Sequence, residues 1–314
     1  MEELRTDLLI IGAGPGGLGA ALYARRAGLD FMIVEKNMAG GQIISTELVE
    51  NYPGFKDSVS GFELAQSLAD HCRSFDIEIL EYHSIESIEE ISHEIEGKKY
   101  SFKCSGSKKI ISTRAIIIAT GAKPDRLGVK GEAGLLGKGI SFCATCDGAL
   151  YRDREVAVIG GGDTAVEEAL FLTNLVKKVY LIHRRDELRA IDVLKRRAKE
   201  NKKVEFIWSS VVEEFIGEDK LEAVMVKNKK DGSITRLDVE AVFEYVGLQP
   251  NSEIIGDLVD TDESGFILTD TTMKTSHKGI YAIGDVRDTP LRQVITAVAD
   301  GAVAAMCIDK YFLE

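Results

Sequence analysis

Cys143 and Cys146 stand three apart, and no other residues of this chain are better suited to chemistry by type and spacing. Such a pair closes a small disulfide ring where the backbone turns, as in the first turn of a helix, and so stores two electrons. A dithiol attacks another disulfide only as a thiolate, which neighbouring positive potential or a helix N-terminus favours. Asp147 follows Cys146 directly. An acid disfavours a thiolate, so its fitting role is proton transfer, to the sulfur that leaves as the disulfide is reduced. Half a zinc site is the competing reading, but it needs two further soft ligands, and no second Cys-x-x-Cys or His-x-x-x-His occurs. Cys72, Cys104 and Cys307 stand singly and read as inert buried thiols.

Electrons for the pair have to be supplied, and two glycine-rich segments point to nucleotides. Residues 7–11 are an apolar run of strand length; Gly12-Ala13-Gly14-Pro15-Gly16-Gly17 follows, then a helical stretch, 18–27, ended by Gly28, and a second strand, 31–34, closed by Glu35. This is the dinucleotide fingerprint in its strand–helix–strand context. Gly12 permits the tight turn, Gly14 lets a pyrophosphate approach the backbone, and Gly17 lets the helix lie close to the strand. Amide hydrogens at the helix N-terminus then face the phosphates, and Glu35 is placed for a ribose 2′-hydroxyl.

Residues 7–37 align with 155–185 without a gap, so that Gly12, Gly14 and Gly17 fall on Gly160, Gly162 and Ala165, and Glu35 falls on His183, followed by Arg184 and Arg185. An acid suits a free 2′-hydroxyl and repels a 2′-phosphate, whereas guanidinium forks match phosphate oxygens. The first copy is therefore expected to bind FAD or NAD and the second NADPH. Arg189, one helical turn on from Arg185, can join the cluster; the alternative is a solvated basic face continuing into Lys195-Arg196-Arg197.

The remaining elements frame these sites. A loop carries Gly40-Gly41-Gln42 and Asn51-Tyr52-Pro53-Gly54, and a helix is expected over 61–75. Alternating strands over 77–113 suggest a β-meander, 115–119 a buried strand, and Thr120-Gly121-Ala122-Lys123-Pro124 a turn and linker. Strands expected over 203–208, 223–229, 235–237 and 241–245 make a second meander, and 247–251 a second turn. A strand over 279–283 ends in Gly284-Asp285, and Arg292-Gln293 lead a helix over 294–311. Asp285 lies where α/β sheets bind ligands, or else caps a helix. The expected fold is α/β, with two Rossmann-like nucleotide-binding domains: residues near 1–122 and 250–314 form one, and residues near 123–249 the other, inserted into it.

The length suits two domains. With 39 Lys and Arg against 51 Asp and Glu the net charge is −12, so the surface repels nucleic acid and anionic lipid. No apolar run approaches membrane-spanning length, and five cysteines are no secreted disulfide framework. A cytoplasmic protein is expected.

Taken together the motifs resemble the low-molecular-weight thioredoxin reductases. The match runs through Gly12-Ala-Gly-Pro-Gly-Gly17, Gly40-Gly-Gln42, Glu50-Asn-Tyr-Pro-Gly54, Ala119-Thr-Gly-Ala122, Cys143-Ala-Thr-Cys-Asp-Gly148, Gly160-Gly-Gly-Asp-Thr-Ala165, His183-Arg-Arg-Asp186 with Arg189, and Gly284-Asp285 with Arg292-Gln293. The resemblance implies a homodimer that passes hydride from NADPH to FAD, thence to the Cys143–Cys146 disulfide and to thioredoxin or a thioredoxin-like protein. It implies that Cys146 faces the flavin, Cys143 attacks thioredoxin, and Asp147 is the acid/base. On it, FAD is held by Gly12, Gly14, Pro15, Gly17, Glu35, Lys36, Gly40, Gly41, Gln42, Asn51, Thr120, Gly121, Gly284, Asp285, Arg292, Gln293 and Val294. NADPH is held by Gly160, Gly162, Asp163, Thr164, Ala165, His183, Arg184, Arg185 and Arg189. Tyr52 stands where some members have Trp, and Glu187 adds negative charge near the 2′-phosphate site. One cysteine pair has to meet both flavin and partner, so the inserted domain is expected to rotate about the crossings near Lys123-Pro124 and Gln249-Pro250. The alternatives are a reductase of another redoxin, glutaredoxin-like or peroxidase-linked, and a nucleotide-binding redox sensor that switches without turnover.

Overall fold

The computed structural model describes residues 2–46, 49, 51–95 and 97–313. In chain order the elements are β1 (Glu2–Ile11), α1 (Pro15–Ala27), β2 (Phe31–Val34), α2 (Gly61–Ser74), β3 (Ile79–Leu80), β4 (Ile85–Ile95), β5 (Lys98–Gly106), β6 (Lys109–Ile118) and β7 (Ala122–Pro124). Next come α3 (Glu132–Leu135), β8 (Ile140–Ser141), α4 (Ala144–Asp147), β9 (Glu155–Ile159), α5 (Asp163–Leu172), β10 (Lys178–Ile182), α6 (Asp192–Glu200) and β11 (Val204–Ile207). The chain closes with β12 (Ser210–Ile216), β13 (Ala223–Asn228), β14 (Ile234–Asp238), β15 (Ala241–Glu244), β16 (Leu248–Pro250), β17 (Ile280–Ala282) and α7 (Val294–Leu313). Two compact units result, one of residues 1–47, 52–123 and 249–314, the other of 48–51 and 124–248.

In the first unit the strand order is β3-β2-β1-β6-β5-β4, with β17 also paired to β6. Period-2 alternation along β1 and β6 sends side chains to two faces. Leu8, Ile10, Ala115 and Ile117 pack with the small residues Ala20, Ala21, Ala304 and Ala305 of α1 and α7. Leu9, Ile11, Ile116 and Ile118 pack on the other side with Ile88, Phe102 and Cys104 of the β4–β5 hairpin. The second unit repeats this plan. Its parallel sheet, β11-β10-β9-β15-β8, packs Val156, Val158 and Leu181 against α5 and α6, and Ala157, Ile159 and Val242 against the β12-β13-β14 meander.

Several expectations need correction. The expected meander end near 113 and the strand 115–119 are one strand, β6. Its first half pairs antiparallel with β5 and its second half parallel with β17, so no break falls between them. Strands β11 and β15 belong to the parallel sheet and not to the second meander, because α6 and the meander itself act as crossovers that return the chain alongside β10 and β9. Strand β12 was not anticipated. The expected turns at 120–124 and 247–251 contain short strands, β7 and β16, that pair with each other. Helix α5 ends at Leu172 because Thr173 and Asn174 turn their side chains back onto the Leu170 and Phe171 carbonyls, at 2.7 and 3.1 Å.

Candidate active site

In the second unit, β8 delivers the chain into the four-residue helix α4, with Cys143 as its N-cap in extended conformation (φ −143°, ψ 100°). Helical φ/ψ over the next residues brings the two sulfurs together, and Cys143 and Cys146 form a disulfide with their Cα atoms 5.3 Å apart. Cys143 Sγ accepts the Cys146 amide at 3.2 Å, and Thr145 Oγ1 lies 3.3 Å from the same sulfur. These polar contacts favour negative charge on Cys143 when the pair is reduced. Ser141 bridges the turn: its hydroxyl donates to Asp147 Oδ2 at 2.6 Å and accepts from the Cys143 amide at 3.0 Å. The Asp147 carboxylate is thereby fixed one residue from Cys146. The Ala144 amide donates to the hydroxyl of Tyr245, at 2.7 Å. Neither Ser141 nor Tyr245 was identified from sequence. Ser141 lies two residues before Cys143 and was within reach of a local reading, whereas Tyr245 is 101 residues from its partner. Two of the other thiols are unreactive in kind: Cys72 and Cys104 are buried, and burial pushes them up to about 11 and about 12 respectively, whereas Cys307 is only half-buried and not the buried thiol expected.

The second glycine loop follows on β9. Gly162 caps α5 in extended conformation, and no side chain caps the helix. Asp163 and Thr164 are exposed there, and Ala165 is buried on β9. The Asp163 carboxylate accepts the Ile191 amide at 2.8 Å and so ties down the loop that carries the arginines. Arg184, Arg185 and Arg189 are all exposed, but residues 183–189 form no helix, so Arg189 does not follow Arg185 by a helical turn. Its amide instead donates to the Gly161 carbonyl at 2.7 Å, which draws it to the glycine loop. His183 is buried, its ring packs on Gly161 and edge-on to Trp208, and Trp208 stacks on Phe206 at 4.7 Å. Burial first, and the Arg189 charge second, hold the imidazole below its ordinary value. Its Nε2 has no hydrogen-bond partner among the described residues.

In the first unit, Gly12 takes φ +105°, and a side chain there would collide with the Ala119 carbonyl. A methyl on Gly17 would land on the Gly12 carbonyl, so α1 sits against the loop as the motif requires. Pro15 occupies the first helical turn, and Gly14 caps the helix without a side-chain bond. The 40–42 loop closes over this one: Gly40 donates to the Ala13 carbonyl at 2.8 Å, and Gly41 approaches Gly14. Buried Glu35 accepts the Ala13 amide at 2.8 Å and the Asn37 amide at 3.0 Å, while Lys36 is exposed. A carboxylate has about four lone-pair sites, so capacity for a ribose remains. Thr120 and Asn251 exchange hydrogen bonds at 2.6 and 2.9 Å, and Gly121 lies against Gln42. At the same carboxyl edge of the sheet, two strands across from the Gly12 loop, Gly284 and Asp285 form a 3-10 turn nine residues ahead of α7, which Asp285 therefore does not cap. Burial raises the Asp285 carboxyl against the pull of Arg292. Arg292 stacks over Phe266 at 4.4 Å, with its buried Nε unpartnered among the described residues. Gln293 and Val294 lead into α7. Asp300, unforeseen from sequence, holds this corner: it accepts the Gly284 amide at 3.0 Å and Arg287 Nε at 2.9 Å. Asn51 is exposed and groups with residues of the second unit, and Glu50 lies outside the described residues.

The chain belongs to the pyridine nucleotide-disulphide oxidoreductase family, whose sequence model matches residues 6–301. It is 46% identical to a thioredoxin reductase of Listeria innocua over 314 residues, all of this chain and 96% of that protein. Identity with a thioredoxin reductase of Bacillus subtilis is 42%, over 100% of this chain and 96% of that protein. Among solved structures, thioredoxin reductase from Streptococcus pyogenes superposes with a TM-score of 0.91 at 44% identity, covering 98% of each chain.

Proposed function

We propose that this chain is a flavin-dependent thioredoxin-disulfide reductase that takes electrons from NADPH and delivers them through Cys143 and Cys146. The observation that carries this reading is the closed Cys143–Cys146 disulfide on a helical turn, in the same compact unit as a nucleotide loop flanked by arginines. Relatives named thioredoxin reductase along the full chain supply the partner.

The first unit suits FAD. Its helix N-terminus carries no side-chain cap among the described residues, two glycine loops meet there, and Arg292 offers a buried Nε–H with no partner among those residues. Gly12, Gly14, Pro15, Gly17, Glu35, Lys36, Gly40, Gly41, Gln42, Asn51, Thr120, Gly121, Gly284, Asp285, Arg292, Gln293 and Val294 would hold it. Bound there, FAD supplies a two-electron carrier between a reduced nicotinamide and a disulfide. The second unit suits NADPH, with phosphates at the open α5 N-terminus and Arg184, Arg185 and Arg189 around the 2′-phosphate.

At the redox turn, Asp147 gives a proton to the departing sulfur while Ser141 holds its other oxygen side. Cys143, with the Cys146 amide on its sulfur, is the nucleophile toward the partner's disulfide, and Cys146 is the sulfur that receives electrons. The protein acts as a homodimer; Tyr23, Val303 and Met306 expose apolar surface on α1 and α7. No described helix is long and apolar enough to cross a membrane, in keeping with a cytoplasmic site.

Anaerobic titration with NADPH should bleach a yellow chromophore and release two thiols, and NADPH oxidation should depend on added oxidised thioredoxin. Cys143→Ser should abolish thioredoxin reduction and leave the bleaching intact. Turnover with a glutaredoxin-like protein but none with thioredoxin would overturn the choice of partner.

A further inference from the structure

Tyr245 stands at the carboxyl end of β15, and its hydroxyl oxygen accepts the amide of Ala144, the first residue of the redox helix. Ala144 is 1% exposed, so water is no ready substitute for this acceptor. A phenol oxygen that accepts from an amide has its own proton to place. The Glu168 carboxyl on α5 lies beside the Tyr245 hydroxyl, and its buried Oε2 has no hydrogen-bond partner among the described residues. It is the acceptor placed to take the phenolic proton, which leaves a lone pair facing Ala144.

We propose that Tyr245, oriented by Glu168, is a positioning residue that holds the Cys143–Cys146 turn closed and thereby sets how strongly the disulfide is favoured over the dithiol. The other contacts that shape the turn are local in the chain: Cys146 N to Cys143 Sγ, Asp147 N to the Cys143 carbonyl at 3.1 Å, and the Ser141 hydroxyl to the Cys143 amide and Asp147. Tyr245 is a tether from a distant strand. In the oxidised form the disulfide itself enforces the geometry. In the dithiol that covalent constraint is gone, and the tether keeps the sulfurs near each other, so less chain entropy is lost on ring closure.

Removing only the hydroxyl acts in one direction on both forms. The oxidised turn keeps its shape and is left with a buried, unsatisfied amide. The dithiol turn relaxes and relieves it. Tyr245→Phe should therefore favour the dithiol and make the pair easier to reduce.

The test is an equilibrium of the full chain with glutathione buffers of graded ratio, quenched in denaturant with a maleimide and read by mass. Three labels mark the disulfide form, since Cys72, Cys104 and Cys307 are free, and five labels the dithiol. Tyr245→Phe should weaken the disulfide about tenfold, equivalent to about 30 mV toward the oxidising side. Glu168→Ala should move it the same way by roughly threefold, because the phenol oxygen remains but is no longer oriented. Circular dichroism confirms that each variant is folded; if Tyr245→Phe is not, Glu168→Ala carries the test. An unchanged potential in the folded variants, or a shift toward a more stable disulfide, would overturn the proposal. The measurement uses neither nucleotide nor redoxin, so its outcome is independent of the partner assigned above.

Discussion

Glu35 and His183 occupy the same place in two copies of one backbone. The strand registers coincide, Leu8 opposite Phe31 and Val156 opposite Val179. Gly12 donates to the Val34 carbonyl and Gly160 to that of Ile182, at 2.8 and 3.1 Å. Even the loops that close on each site agree, with Gly40 N on the Ala13 carbonyl and Arg189 N on the Gly161 carbonyl. The copies part at the side chains. Glu35 turns inward and binds two amides of its own loops, whereas His183 is a buried ring beside exposed arginines. On the proposed reading, the shared backbone would place the phosphates and the residue after the second strand would decide what sugar or phosphate group is accepted.

The comparison is most sharply broken at the glycine nearest each helix. Gly17→Ala should force α1 off its loop, cost about 3 kcal/mol and abolish FAD retention, seen as loss of yellow colour and a lowered Tm. Ala165→Gly, the mirrored change, should cost only about 1 kcal/mol and leave nucleotide binding intact. Equal losses would mean that the two helices are not seated differently.

Coenzyme choice comes next. Replacing Arg184 or Arg185 singly by Ala should raise KM for NADPH roughly ten- to hundredfold and leave NADH nearly unchanged, since each charged hydrogen bond to the phosphate is worth about 1.5–3 kcal/mol. Parallel changes for both coenzymes would reject a 2′-phosphate role.

Buried carboxyls separate the units as well. Glu35 is held by amides, but Glu244 is 2% exposed and neither of its oxygens has a hydrogen-bond partner among the described residues. Burial, and then the Glu132 charge, push its carboxyl up to about 8, against the opposing pull of Arg126. An unfolded carboxyl ionises near 4.5, so the folded chain binds one more proton between there and about 8, and stability falls as pH rises through that window. Glu244→Gln should therefore raise Tm most at pH 9, by an amount corresponding to at most about 5 kcal/mol, with the gain vanishing near pH 4. A gain independent of pH would show that ionisation is not the cause. The smallest effect expected is for Glu35→Gln, which keeps one acceptor for the two amides and should weaken FAD binding roughly tenfold, measured by fluorescence on release.

Both glycine loops, the helices behind them and the redox pair were legible in the residues, because each depends on chemistry within some thirty residues of chain. Harder to read were strands β11 and β15. An isolated run of four or five strand-forming residues looks the same in a meander as in a parallel sheet, and only the crossovers tell them apart. Arg189 was assigned to the cluster on helical spacing that the chain does not adopt; a backbone bond to Gly161 brings it to the loop instead. Asp300, Ser141 and Tyr245 carry no motif of their own.

By itself the sequence determined that a cysteine pair and two strand–glycine loop–helix units exist and that the charges beside the two loops differ, since glycine, cysteine and arginine impose their chemistry wherever the chain turns. Only the tertiary structure decided which distant groups steady them: Tyr245 and Glu168 at the redox turn, Asp300 at the Gly284 corner, Glu244 in the second sheet. Those contacts join residues far apart in the chain, and nothing local to either partner specifies the other.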